Sequence, residues 1–254
     1  MKSKRTILFF VTLLLMSVAP QIINADDDWQ FRATPYIWFA GFEGDVATIP
    51  GAGSVPIEVS PSDAIKDTEV SFMILFEAKK GKHGVFADFL YSDVRSSEEL
   101  IPAIGLALDS VSKTTIFSLA YQYEVYRQDD GVIDLLVGAR LWDIDTELDF
   151  GGGFGFLANQ EIEHKESWVD PFVGFKGHLP VSDSKFYIEG GAGLGGFGVS
   201  SDLFYEVSGA IGYKWNSAIS TAVGYRLFDV DYEDGGFTYD VRQAGWQIGL
   251  TWAF

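Results

Sequence analysis

The stretch from 244 to 254 alternates strictly between apolar residues and small or polar residues. Its apolar positions are Trp246, Ile248, Leu250, Trp252 and Phe254. A repeat of two places successive side chains on opposite faces of a β-strand, whereas a helix repeats every 3.6 residues. The stretch is therefore predicted to be a strand with one fully apolar face.

The same alternation recurs along the chain and predicts ten strands in all. Their ranges are 29–40, 68–79, 85–94, 113–126, 132–149, 160–176, 185–196, 203–215, 218–230 and 244–254. Short turns alternate with longer connections, of which 41–67 is the longest and 231–236 is acidic. Eight or twelve strands are the alternatives, because the first long connection has room for a hairpin.

The composition favours a closed membrane barrel over a helical membrane protein. Hydrophobic residues make up 47% of the chain and glycines number 28. Beyond the N-terminus, however, no segment approaches the roughly 18 continuous apolar residues that a transmembrane helix needs. Inside a bilayer every backbone donor and acceptor must be paired, and strands achieve this only in a closed sheet. The fold class is therefore an all-β antiparallel transmembrane barrel.

The N-terminus has the pattern of a secretory signal peptide. Lys2, Lys4 and Arg5 precede an apolar run at 7–18, and Ala25 offers a small residue for cleavage. We expect residues 1–25 to be the signal peptide and 26–254 the single barrel domain; a membrane anchor is the alternative. Cleavage would remove three cations and take the net charge from −18 to −21. Such a charge argues against a nucleic-acid partner.

The C-terminal residues resemble those of Gram-negative outer-membrane barrels, which typically end on an aromatic residue. The resemblance implies that the last strand pairs with the first. It also implies that Trp252 and Phe254 form the insertion signal read by the barrel assembly machinery. Both termini would then be periplasmic, and the surrounding partners would be outer-membrane lipid and lipopolysaccharide.

A second resemblance lies at 168–176, which reads Trp-Val-Asp-Pro-Phe-Val-Gly-Phe-Lys. It is similar to a Trp-x-Asp-Pro-x-x-Gly-x-Arg strand motif of small proteobacterial outer-membrane barrels, a porin-like group whose members are mostly uncharacterised. Lys176 stands where that group has Arg, so a role of a guanidinium there does not carry over. The resemblance implies a barrel and a location, and no activity.

Alternation predicts charged side chains inside the barrel. The acids are Glu69, Glu77, Asp88, Glu124, Asp134, Asp170, Glu189 and Glu206, and the cations are Arg32, Arg140, Lys176, Lys214, Arg226 and Arg242. Charge inside a small barrel must pair or meet water. One interpretation is a salt-bridged interior that closes the lumen, as in the OmpA-type domain. The other is a narrow pore for a small solute or a cation.

An enzyme is not expected, since no histidine is placed to activate a nucleophile within a strand. The alternative is a surface protease of the omptin type, which uses acidic residues and a histidine at the rim. In this sequence His164 would combine with Asp143, Asp145, Asp229 or Asp231.

The end of the barrel near residue 155 is predicted to carry an acidic rim. A simple hairpin places Asp145 opposite Lys165 and Glu147 opposite Glu163. Like charges directly opposite each other destabilise a sheet. One interpretation is a solvated rim. The other is a site for Ca²⁺ or Mg²⁺, which prefer oxygen ligands, formed by Asp145, Glu147, Asp149, Glu161 and Glu163. No other cofactor is expected.

Overall fold

The structure, a computed structural model, describes residues 28–47, 53–101, 106–151 and 160–254. Within these ranges ten long antiparallel strands form a closed barrel, with an eleventh short strand beside it. The predicted ten-stranded fold is confirmed. The predicted signal peptide at 1–25 lies outside the described residues.

Each strand of the barrel pairs with its neighbours in chain order, and β11 returns to pair with β1. The ring consists of β1 (Gln30–Ala47), β3 (Thr68–Lys80), β4 (His83–Ile101), β5 (Leu106–Gln128), β6 (Gly131–Gly151), β7 (Gln160–Pro180), β8 (Phe186–Gly195), β9 (Leu203–Lys214), β10 (Ile219–Asp234) and β11 (Phe237–Ala253). The eleventh strand is β2 (Val55–Val59), and the helix α1 (Pro61–Asp67) follows it.

The two ends of the barrel differ in their connections. At one end, here called the turn end, the connections are 81–82, 129–130, 181–185 and 215–218. At the other, the loop end, they are 48–67, 102–105, 152–159, 196–202 and 235–236. The interpretation of 231–236 as an acidic loop was wrong. Both strands continue to a two-residue turn at Gly235 and Gly236, whose φ angles of 56° and 95° suit glycine.

In its described part, the first long connection adds one strand and one helix to the barrel, and not two further strands. β1 and β3 pair only from Gln30↔Lys79 to Tyr36↔Met73. Nearer the loop end, β2 pairs with β1 from Phe42↔Val59 to Val46↔Val55. The helix α1 begins where the Ser60 side chain accepts a hydrogen bond from the backbone N–H of Asp63. A Cβ on Gly41 would lie 2.8 Å from the carbonyl oxygen of Val59, so glycine permits this close packing.

The strands have an apolar outer face and a buried inner face. Val137 and Ile211 are 59% and 64% exposed, whereas Trp142 and Val230 are fully buried inside the barrel. The outward apolar side chains form a belt around the barrel, which is the surface that lipid would solvate. Within the part of the chain that the structure describes, no helix has the length and hydropathy to cross a membrane.

The seam between β1 and β11 closes the barrel at the turn end through Phe31 and Phe254. Each of these residues donates its backbone N–H to the carbonyl of the other, both at 3.0 Å. Their rings stack with centroids 5.6 Å apart. The terminal residue therefore contributes both a ladder pair and an aromatic contact to closure.

We expect deletion of Phe254 to lower the amount of folded, heat-modifiable protein in the membrane fraction sharply, because the seam loses both contributions. The control is Phe186→Ser, which removes another outward aromatic ring near the turn end without touching the seam. Gel mobility with and without boiling measures the folded fraction. Equal folded fractions for the two variants would contradict a special role for the seam.

Candidate functional site in the barrel lumen

Large side chains fill the loop half of the lumen. This aromatic cluster comprises Trp38, Trp142, Trp168, Phe172, Phe204, Phe228, Tyr232, Phe237 and Tyr239, each at most 8% exposed. Trp142 stacks on Trp168 with ring centroids 5.4 Å apart, and Trp168 stacks on Tyr232 at 3.9 Å. Because the rings come from several strands and meet inside the wall, they pack together across this half of the lumen.

A buried carboxylate, Asp170, holds the cluster to the connection 196–202. It accepts hydrogen bonds from the indole N–H of Trp142 at 3.1 Å and from that of Trp168 at 3.0 Å. It also accepts from the backbone N–H of Ser201 at 2.8 Å and from its hydroxyl at 2.6 Å. Asp170 and Ser201 are both fully buried. Asp170 was predicted as a lumen-facing charge, and it is satisfied by four neutral donors and not by a cation.

On the turn-end side of the aromatic cluster, an ion-pair layer crosses the lumen. It consists of Tyr36, Asp88, Arg140, Glu206 and Arg226. Glu206 forms two ion pairs. One carboxylate oxygen lies 2.7 Å from Arg140 Nη2, and the other lies 2.9 Å from Arg226 Nε. Arg226 also contacts Asp88 at 3.2 Å and donates to the hydroxyl of Tyr36 at 3.0 Å. The two guanidinium groups are therefore compensated by two carboxylates.

The aromatic rings also stabilise the two arginines from the loop-end side. The Cζ of Arg140 lies 4.8 Å from the ring centroid of Phe204 and 5.3 Å from that of Phe228. The Cζ of Arg226 lies 5.0 Å from the ring centroid of Trp38. A cation facing an aromatic ring at this distance is attracted by the negative face of the ring. The ion-pair layer and the aromatic cluster thus pack as one unit.

A second set of ion pairs lies nearer the turn end. Lys79 contacts Asp134 at 2.7 Å and Glu124 at 3.1 Å. Lys176 pairs with Glu77 and lies 3.4 Å from Asp134. These side chains occupy the β3 to β7 side of the lumen and leave the opposite side free.

That free side forms a cavity of about 680 Å³ that reaches from the ion-pair layer to the turn end. We call it the turn-end cavity. Its neutral wall is lined by small residues of β8 to β11, among them Gly191, Gly193, Ser208, Ser220, Ala222, Gly249 and Thr251. Arg32 and Glu189, both predicted to face inward, also line it.

Two charged residues lie where the sequence interpretation did not place them. Glu69 sits at the irregular β3–β4 register between Thr68 and Val70, and its side chain is 53% exposed and pairs with Arg95 at 3.3 Å. Arg242 was expected inside, but it lies on the outer face with Asp229 and Glu43, at 2.9 Å and 3.3 Å. The other predicted inward charges lie in the lumen.

The histidine and aspartates of the omptin-type alternative do not come together. His164 points inward, where its ring stacks on Phe237 at 4.9 Å and its Nε2 lies 3.4 Å from Glu166. Alternation along β6 and β10 places the four aspartates on the outer face, which His164 does not reach. They are Asp143, Asp145, Asp229 and Asp231.

The acidic rim lies on the outer face of β5, β6 and β7 at the loop end. The register pairs Asp145 with Lys165 and Glu147 with Glu163, as a simple hairpin predicts. One row further out, Asp149 lies between Asp109 of β5 and Glu161 of β7. Carboxylate oxygens of three rim residues lie within 4.8 Å of one another: Glu147, Glu161 and Glu163. Asp145 and Asp149 are not in that group.

A second acidic row was not foreseen from the sequence. Asp240 of β11 lies directly between Asp45 of β1 and Asp231 of β10. Burial, and then the carboxylates of Asp240 and Asp202, raise the pKa of Asp231. Its ionised form therefore costs stability at neutral pH, and protonation relieves that cost. The pattern was missed because 231–236 was interpreted as a loop.

No protein-family model matches this sequence, and no curated protein matches it. The fold is similar to the crystal structure of the outer-membrane protease OmpT from Escherichia coli, with a TM-score of 0.60 and 10% identity over 91% of this chain and 98% of OmpT. The transport unit of the Escherichia coli autotransporter AIDA-I has a TM-score of 0.47 and 8% identity, covering 96% of this chain and 94% of its own.

A third similar structure is Ail, the attachment invasion locus protein of Yersinia pestis. Its TM-score is 0.38 and its identity 10%, over 90% of this chain and 99% of Ail. Among the three, only the score for OmpT indicates a shared fold. That fold is the antiparallel barrel of outer-membrane proteins, and at 10% identity it carries no information on activity.

Replacing Asp170 with Asn should lower the free energy of unfolding by about 2–3 kcal/mol, because an amide nitrogen cannot accept from the indole and hydroxyl donors around it. Urea unfolding in lipid vesicles, followed by tryptophan fluorescence, measures the change. The matched control is Asp183→Asn in an exposed turn. If both variants unfold at the same urea concentration, Asp170 does not anchor the cluster.

Proposed function

We propose that this protein is an integral outer-membrane β-barrel with a structural role, whose lumen is occluded, and that it is not an enzyme. The proposal includes an export signal at 1–25, removed on secretion, and a turn end that faces the periplasm. The apolar outer belt and the shared fold with OmpT support the membrane location. The resemblance of 168–176 to the Trp-x-Asp-Pro group agrees with it, and the group remains a prediction.

The observation that carries the structural role is the ion-pair layer beneath the aromatic cluster. A solute that crossed the lumen would have to separate Glu206 from both arginines and displace Phe204 or Phe228. Removing one partner of a buried pair leaves an uncompensated charge, which costs about 3–5 kcal/mol. A barrel with this interior is closed at rest, which disfavours the narrow-pore interpretation.

Two observations support the proposal that the protein is not an enzyme. His164 and the four aspartates of the omptin-type alternative lie on opposite faces of the wall. In addition, the two carboxylates of the ion-pair layer already compensate two guanidinium groups, so neither is free for acid–base chemistry. Cleavage of peptides by whole cells, abolished by His164→Ala, would contradict this part of the proposal.

Planar-bilayer recordings test the occlusion. The unmodified protein should give no regular stepwise conductance. Replacing Phe204 and Phe228 with Ala should produce frequent channel openings, because both rings contact Arg140 and join the two layers. The matched control replaces the outward-facing Phe175 and Phe186 with Ala. Regular conductance steps from the unmodified protein would favour a narrow pore instead.

A second part of the proposal concerns the acidic rim. We propose that Glu147, Glu161 and Glu163 bind Ca²⁺ or Mg²⁺ and so bridge the rim to the phosphates of lipopolysaccharide. The support is geometric, because three carboxylates that repel one another lie within 4.8 Å, and Glu147 is partly buried. Hard divalent cations prefer such oxygen ligands. Asp145 and Asp149, which the sequence also suggested, would not bind the ion and would contribute only to the negative electrostatic potential around it.

Calcium should raise the melting temperature of the refolded barrel more than sodium does at equal ionic strength. The double change Glu147→Gln and Glu163→Gln should erase that difference. The control removes two carboxylates from exposed turns at the other end, by Asp129→Asn and Asp183→Asn, and should preserve it. If sodium matches calcium in the unmodified protein, the rim is solvated charge only.

A further inference from the structure

The turn-end cavity has the size of a small-molecule site. Ligand pockets usually enclose about 300–1,000 Å³, and this one measures about 680 Å³. The ion-pair layer forms its floor, and its mouth lies among the connections of the turn end. Nothing in the proposed structural role accounts for a space of this size inside a barrel whose other half is filled.

The charges that line the cavity are unlike those of the whole chain. The chain carries a net charge of −18. The cavity lining, by contrast, includes seven cations and six carboxylates. The cations are Arg32, Lys79, Arg127, Arg140, Lys176, Lys214 and Arg226, and the carboxylates are Glu77, Asp88, Asp130, Asp134, Glu189 and Glu206. Glu124, which pairs with Lys79 and Arg127, is a seventh carboxylate, so the charges in this half of the lumen balance within an otherwise acidic protein.

Among the described residues, Arg32 is the lining cation that has no carboxylate partner. Each of the other six has a carboxylate within ion-pair distance, for example Lys214 with Asp130 at 3.2 Å. The register places Glu77 directly across from Arg32 on β3, but Glu77 pairs with Lys176 across the lumen. Among the described residues, no carboxylate lies within 4.0 Å of the Arg32 guanidinium.

The wall beside Arg32 leaves room for a ligand. Its neighbour on β11 is Ala253, and the inward residues next along that face are Thr251 and Gly249. β10 continues this wall with Ser220 and Ala222. These side chains are too short to cover the guanidinium. The hydroxyls of Thr251 and Ser220 add polar groups to a largely neutral surface.

We infer that the turn-end cavity binds a small organic monocarboxylate, with the Arg32 guanidinium as its anchor. The planar guanidinium matches a carboxylate with two parallel hydrogen bonds. One unpaired guanidinium matches one negative charge, whereas the carboxylates around it oppose a dianion such as phosphate. The glycine and serine wall then accommodates the uncharged part of the ligand. This site is separate from the proposed rim site and does not require an open lumen.

Isothermal titration of the refolded barrel in nanodiscs tests the inference, with sodium benzoate as the probe and sodium chloride at equal ionic strength as the reference. We expect saturable binding of benzoate. Arg32→Gln should weaken it by about tenfold or more, the loss of one charged bidentate contact. The matched control, Arg95→Gln, removes a half-exposed arginine at the loop end and should leave binding unchanged.

A second variant tests the cavity without altering charge. A Cβ on Gly193 would meet nothing nearer than 3.8 Å, so Gly193→Leu fits the folded barrel and fills part of the cavity. We expect it to abolish benzoate binding while heat-modifiability is retained. Absence of saturable binding to the unmodified protein would overturn the inference. Equal binding by Arg32→Gln, or tighter binding of inorganic phosphate than of benzoate, would overturn it as well.

Discussion

Glu206, held between Arg140 and Arg226, is the interaction on which the interior of this barrel depends. Three charged groups buried at one level are tolerable only because each is compensated by another. Their strands, β6, β9 and β10, are joined through Arg226 to Asp88 on β4 and Tyr36 on β1. Five of the ten ring strands therefore meet in one polar layer, which ties opposite walls of the barrel together.

The two halves of the lumen differ in the size of the inward side chains. Along β10, the inward positions are Ser220, Ala222 and Gly224 toward the turn end, and Phe228, Val230 and Tyr232 toward the loop end. The small residues leave the turn-end cavity open, whereas the large ones pack into the aromatic cluster. The same alternation thus produces both a cavity and an occlusion, with the ion-pair layer between them.

The sequence predicts the faces and number of the strands well, because the apolar belt imposes a period of two on every strand that crosses it. The prediction of strand ends fails between the apolar belt and the loop end. There the outer face carries acids such as Asp231 and the inner face is apolar, so the hydrophobic alternation changes faces although the strand continues. The contribution of β2 was missed for a related reason, since its five residues are too few to show a period.

The lumen charges were predictable as a set, but their partners were not. Asp170 binds Trp142 and Trp168, which face each other across the β6–β7 hairpin, and also Ser201, which lies 31 residues further along the chain. Glu69 does not face the lumen, because the β3–β4 register is irregular between Thr68 and Val70. By contrast, the rim pairs at Asp145 and Glu147 follow from a simple hairpin, so sequence reasoning could place them.

The most direct test of the occluded interior is a double-mutant cycle on Glu206→Gln and Arg226→Met, measured by unfolding in lipid vesicles. If the lumen is closed by compensated charge, the two changes should couple by about 1–3 kcal/mol, as contacting residues of one network do. If water instead solvates each group separately, the two costs should add to within about 0.5 kcal/mol. That additive result would contradict the account of a closed lumen.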